Sequence, residues 1–178
     1  MESAHEELRA LLVNRSVKKG DFVLASGRRS HYYVDCRRTT IHAPGATLVG
    51  QVCAERVRSL PPIDSLGGLT LGADPIALAT AMALSPGGPQ PFTVRKAEKA
   101  HGSGRRIEGS FEAGHRVLVI EDTITSGGSA LQAVEAIEAA GGTVAGVLTL
   151  VDRDEGGREA IEAKGYSVHA IFTIDELT

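Results

Sequence analysis

Two short stretches hold most of the residues able to do chemistry. The first is VIEDTITSGGSA, residues 119 to 130. It closes an apolar run, VLVI, with two acids, Glu121 and Asp122, then continues through Thr123, Ile124, Thr125, Ser126, Gly127, Gly128 and Ser129 into a helical pattern. Unpaired amides and a positive macrodipole at a helix N-terminus favour an anion there. Glycines let the backbone close around it, and Thr125, Ser126 and Ser129 add hydroxyl donors. There is no lysine in the turn and no G-x-x-x-x-G-K-[ST] pattern, so a triphosphate loop is excluded. A G-x-G-x-x-G fingerprint is absent as well. A phosphate monoester fits. The two carboxylates would repel phosphate, so they suit another part of the same ligand, such as a pair of sugar hydroxyls. Strand-ending acids and a helix-capping serine are the bland reading of each part alone. Their combination after a buried strand favours a site.

The second stretch is RKAEKAHGSGRRIEG, residues 95 to 109. Arg95, Lys96, Lys99, His101, Arg105 and Arg106 fall within twelve residues, opposed only by Glu98. The formal net charge of the chain is -3, so these cations are a local device and not part of a general nucleic-acid-binding surface. On a long glycine-bearing loop they suit a lid that neutralises a polyanion such as pyrophosphate.

The rest of the chain must position these stretches. A length of 178 residues points to one domain with a sizeable core. Aromatics are 4% and Trp is absent, so that core is Val, Leu, Ile and Ala. Cys36 and Cys53 lack metal or redox spacing and read as buried thiols. No apolar run is long enough for a membrane span and no signal peptide is evident, which predicts a cytoplasmic protein without membrane partners. Helices are expected over 3–14, after Pro44, after an Asp74 N-cap, over about 129–140 and over 156–164. Strands are expected around 32–35, 63–66, 91–95, 116–120, 144–151 and 166–173. The alternation predicts an α/β fold: a mainly parallel sheet with helices on both faces.

With these residues in view, EDTITSGGS resembles the phosphoribosyl-pyrophosphate (PRPP) motif of type I phosphoribosyltransferases. RKAEKAHG matches, at Arg95, Lys96, Lys99 and His101, the catalytic loop of the orotate phosphoribosyltransferase family. FVLASGRRSHYYVD, residues 22 to 35, is similar to that family's N-terminal hood, and VDRDEGG, residues 151 to 157, to its V-D-R segment. The resemblance spans Phe22 to Gly157. It implies a single domain, with a hood of roughly residues 1–40 plus the C-terminal segment. It implies PRPP held by residues 121–129, and orotate held by Ser26, Thr125 and Arg153, with Tyr32 or Tyr33 flanking the ring. Mg²⁺ would be bound mainly through PRPP and water, with no direct protein ligand. A homodimer is implied, with the 95–106 loop reaching the neighbouring subunit's site, in an enzyme of pyrimidine synthesis. Two departures stand out. Family members often carry lysine where this chain has Ala25, and a Tyr-Lys pair where it has Leu71-Gly72. A phosphoribosyltransferase for another base, and a PRPP-sensing regulator without catalysis, are the rival readings.

Overall fold

The computed structural model describes residues 3–23, 29–97 and 106–178. Ser26, Lys99 and His101, together with Ala25 and Arg28, lie outside the described residues.

Six strands form the central sheet. In chain order these are β3 (Ser65–Leu69), β4 (Gln90–Val94), β5 (Ile107–Gly109), β6 (Arg116–Ile124), β7 (Thr143–Asp152) and β8 (Val168–Thr173). Their spatial order is β5-β4-β3-β6-β7-β8. All neighbours are parallel except the edge pair β4–β5. The helices between them are α4 (Ala73–Leu84), α5 (Gly128–Ala139) and α6 (Gly157–Glu162). From β3 the chain winds outward through α4 to β4. From β6 it winds the other way, through α5 to β7 and α6 to β8. The direction reverses between β3 and β6, and in open α/β sheets the crevice at the strand C-termini beside that reversal is where ligands bind.

Alternation along β6 explains why the sheet is covered on both faces. Leu118 and Ile120 belong to one core with Leu66, Ile76, Val49 and Leu8. Val117 and Val119 belong to the other with Ala133, Val134 and Ile137. The first core is closed by α1 (Ala4–Arg15), α3 (Ala43–Arg58) and α4; the second by α5 and α6. Cys36 and Cys53 are free and fully buried, and burial pushes both thiols up to about 12.

The N-terminal part adds an antiparallel pair, β1 (Val17–Val23) with β2 (Arg29–Val34), and the short α2 (Arg37–Thr40). The C-terminal segment closes back on it. Arg9 Nε donates to the Glu176 carbonyl at 2.6 Å and Lys19 Nζ to the Thr178 carbonyl at 2.8 Å.

Several expectations need correction. β1 was not foreseen, because VKKGDFV carries polar residues at its centre. β5 lies inside what reads as loop; three residues paired to Phe92–Val94 are too short to show a period. β3 starts later than expected and runs through Gly67 and Gly68, since both are paired to β4. β6 continues four residues past Ile120, so Glu121 and Asp122 lie within the strand, with Glu121 opposite Thr149 of β7. Asp74 is not a helix cap: the cap position is Gly72 and carries no side-chain bond.

Candidate active site

At the C-terminal end of β6 the chain passes from Ile124 into a three-residue turn and then α5. Gly127 occupies the cap position with φ +78, in the left-handed region that glycine alone enters readily. A Cβ there would also lie 2.8 Å from the Gly157 carbonyl oxygen. The start of α6 is thus packed directly under the turn. The first amides of α5 have no intrahelical acceptors and open into a small cavity of about 80 Å³ lined by Glu121 and residues 123–130. That size suits one phosphoryl group. Wider clefts of about 480 Å³ beside His5 and Arg56, and about 550 Å³ beside Phe111, lie away from the reversal point.

Within the expected phosphate turn the residues divide. Ser126, Gly128 and Ser129 are exposed and Thr125 is half-buried. Ile124 is buried in the core, and its carbonyl accepts from the Arg153 amide at 3.0 Å. The Thr123 hydroxyl is 3.3 Å from Cys36 Sγ, tying the turn to α2. Thr123 and Ile124 therefore offer a ligand their backbone.

The acid pair is the most unusual electrostatic feature. Glu121 is 5% exposed, and its Oε2 is buried with no hydrogen-bond partner. Its Oε1 accepts from the Asp122 amide at 3.3 Å. Burial, reinforced by the neighbouring Asp122 charge, pushes the Glu121 carboxyl up to about 8, with Lys96 opposing the shift. Burial raises Asp122 too, opposed by hydrogen bonds and by the Arg37 guanidinium. Two carboxyls side by side, one of them buried, ionise reluctantly. A ligand hydroxyl donating to Glu121 Oε2 would supply the hydrogen bond that oxygen lacks.

Asp122 rests against the turn that follows β3. A Cβ on Gly72 would fall 2.6 Å from Asp122 Oδ1, so the backbone at 72 lies close against the carboxylate, and a side chain there would require Asp122 to shift. Leu71 beside it is 64% exposed.

Arg153 follows β7, and it is 6% exposed. Its Nε donates to Glu155 Oε1 at 2.9 Å, and Nη2 stands 2.8 Å from the same oxygen without an aligned bond. The guanidinium lies 5.0 Å from the centre of the Tyr32 ring, within cation–π range. Tyr33 points the other way, is 40% exposed and packs on Phe22. Of the two tyrosines it is therefore Tyr32 that joins Arg153. His31 is exposed and pairs with Asp21.

The cationic stretch leaves the sheet from the β4–β5 pair. The Arg95 amide donates to the Arg106 carbonyl at 2.8 Å, and Arg95 Nη1 meets Glu108 at 3.3 Å. Lys96 is exposed and near enough to act on Glu121. Sequence reasoning missed Arg37. Its Nε donates to Asp35 Oδ1 at 2.9 Å, and its charge reaches Asp122. Its only signal was a position just after the hood motif.

Among the described residues no group of three or more His, Cys, Asp or Glu side chains is placed to hold a metal. The hard-cation donors available are the two carboxylates, with Glu121 Oε2 unpartnered. That set fits a Mg²⁺ ion brought with a phosphate ligand and does not form a cage. No helix among the described residues is long and apolar enough to cross a membrane.

No family model matches the chain. Individual relatives do. It is 47% identical to the orotate phosphoribosyltransferase of Aquifex aeolicus, over 97% of this chain and 96% of that protein. It is 49% identical to that of Mycobacterium avium, over 97% and 95%. Among solved structures, the Mycobacterium tuberculosis orotate phosphoribosyltransferase in complex with PRPP superposes with a TM-score of 0.83 at 43% identity, covering 98% of this chain and 99% of that one. An adenine phosphoribosyltransferase from Leishmania tarentolae, at 18% identity and a TM-score of 0.68, shares the fold. A small cavity at a helix N-terminus and an acid pair at the reversal point of the sheet agree with near-full-length relatives of one kind, and the chain belongs to the orotate phosphoribosyltransferase family.

Proposed function

We propose that this chain transfers the 5-phosphoribosyl group of PRPP to N1 of orotate, giving orotidine 5′-monophosphate and pyrophosphate in pyrimidine synthesis. The observation that carries the reading is the buried Glu121, with one carboxylate oxygen unpartnered, next to half-buried Asp122 and beside a cavity sized for one phosphoryl group. The 5′-phosphate sits on the amides and hydroxyls of Thr125, Ser126, Gly127, Gly128 and Ser129, with the backbone of Thr123 and Ile124 completing the wall. Glu121 and Asp122 accept from the ribose 2′- and 3′-hydroxyls, fixing the sugar so that its anomeric carbon faces the base.

The N1–C1 bond forms as the bond from C1 to the pyrophosphate oxygen breaks, through an oxocarbenium-like state. Orotate N1 gives up its proton to the departing pyrophosphate, whose oxygen takes the electron pair of the broken C1–O bond. Arg95 and Lys96 offset the charge developing on that group, and Lys99 and His101 do so from beyond the described residues. Mg²⁺, when bound with PRPP, supplies further charge neutralisation on the phosphate oxygens. Arg153 meets the orotate carboxylate, a natural guanidinium partner; Tyr32 flanks the ring, and Thr125 and Ser26 complete the base contacts. The RKAEKAHG resemblance supports a homodimer in which residues 95–106 serve the neighbouring site, in a cytoplasmic enzyme of pyrimidine synthesis.

A panel of bases tests the substrate. With PRPP and Mg²⁺, orotate should be consumed while uracil, adenine and hypoxanthine are not. Turnover of one of those and not of orotate would replace this reading with another member of the superfamily.

A further inference from the structure

Asp74 was expected to cap α4, and it does not. Its carboxylate instead accepts from two threonines, one just past the end of β3 and one on β4. Thr70 Oγ1 donates to Oδ2 at 2.5 Å, and Thr93 Oγ1 donates to Oδ1. Thr70 stands at the exit of β3, one residue after Leu69, and Thr93 is the penultimate residue of β4. A backbone bond from the Thr70 amide to the Val94 carbonyl, at 2.9 Å, lies beside this clasp.

Both threonines lead directly into the site. Two residues beyond Thr70 is Gly72, whose backbone rests on the Asp122 carboxylate. Two and three residues beyond Thr93 are Arg95 and Lys96, and Arg95 is zipped to Arg106 at the base of the cationic stretch. The Asp74 carboxylate is thus the side-chain link between the turn lying against the ribose acid and the strand that delivers the cations.

We infer that Asp74 is a positioning residue: it fixes the spacing between the 70–73 turn and the root of the Arg95–Lys96 segment, and so sets where the pyrophosphate part of PRPP is held. The inference rests on the function proposed above. A carboxylate suits the task because both oxygens accept, so two hydroxyl donors can converge on one rigid group. Its place in the first turn of α4 also puts a negative charge where the helix dipole favours one. That would be its whole role if the clasp were only structural, and the two roles differ in kinetics.

The test is steady-state kinetics on the full chain carrying Asp74→Asn, Thr93→Val or Thr93→Ser, with Tm measured alongside. Asparagine keeps the shape and loses one acceptor. Asp74→Asn and Thr93→Val should each raise the KM for PRPP, and for pyrophosphate in the reverse direction, by about tenfold, the scale of one charge-assisted hydrogen bond. The KM for orotate should stay within about twofold, since Arg153 and Tyr32 lie across the reversal point. Thr93→Ser, which keeps the hydroxyl, should behave as the unsubstituted chain. Equal rises in both KM values, a fall in Tm alone, or failure of all the clasp variants except Thr93→Ser to fold would each overturn the inference in favour of a purely structural clasp. Lys96→Ala separates the layers. If it raises the PRPP KM and Asp74→Asn does not, the clasp inference fails alone; if neither does, the role given to the cationic segment fails with it.

Discussion

At the scale of single residues, Glu121 makes the sharpest statement. Its folded pKa of about 8 lies above the ordinary 4.5, so the folded chain holds this proton more tightly than the unfolded chain. The resulting contribution to stability is fully present below about 4.5 and is lost as pH rises through about 8. Glu121→Gln should therefore flatten the decline in Tm across that window, and an unchanged pH profile would show that burial does not govern the group. Sugar hydroxyls donating to the carboxylate favour its ionised form. PRPP binding near neutral pH should accordingly release part of a proton, measurable by calorimetry in buffers of different ionisation enthalpy. Asp122→Asn should cost about 100-fold in kcat/KM for PRPP, the upper end of what a hydrogen bond to a charged acceptor contributes, leaving the variant nearly inactive.

Arg153 and Glu155 allow stability and recognition to be separated. Arg153→Gln removes the guanidinium that meets half-buried Glu155 and should lower Tm measurably. Adding Glu155→Gln should restore most of the stability without restoring the orotate KM. Recovery of both would remove Arg153 from base recognition.

At the scale of elements, the turn between β6 and α5 depends on Gly127. Alanine there meets an unfavourable φ and the Gly157 carbonyl. A cost of roughly 1–2 kcal/mol corresponds to a Tm lower by about 2–8 °C, with weakened PRPP binding by the same variant. Elements were legible where their period was long. α1, α3 and α5 announced themselves by leucine and valine spacing, and β7 by an unbroken apolar run, the pattern of a strand buried on both faces. β1 and β5 were not legible, since one is a half-exposed strand with Lys18, Lys19 and Asp21 inside it and the other has three residues. The end of β6 was placed too early because two acids read as a stop signal. They continue the strand because β7 pairs with them and the site needs carboxylates there. The sequence also put the two acids and the Thr-Ser-Gly turn next to one another, ahead of α5. What sequence could not show was which groups face each other: Gly72 against Asp122, Asp74 bridging Thr70 and Thr93, Arg153 over Tyr32, and Arg37 near the acids.

At the scale of the whole molecule, reversal of the sheet between β3 and β6 gathers the parts. The acids and phosphate turn come from one side of the reversal, and the glycine turn and cationic stem from the other. The proposed dimer makes a prediction at this scale. Asp122→Asn and Lys99→Ala should each be nearly inactive alone, while mixed dimers of the two should recover part of the activity, because one site then has both groups intact. Verified heterodimers without recovery would confine the cationic segment to its own subunit.

The central claim is that the cavity beside Glu121 and Asp122 binds PRPP so that its ribosyl carbon is transferred to orotate. The most direct measurement is the fall in orotate absorbance with PRPP and Mg²⁺, with pyrophosphate quantified in the same sample. Orotate should disappear only when PRPP is present, with one pyrophosphate formed per orotate consumed, and Asp122→Asn should nearly abolish both. PRPP-dependent binding with no loss of orotate and no pyrophosphate would contradict the account.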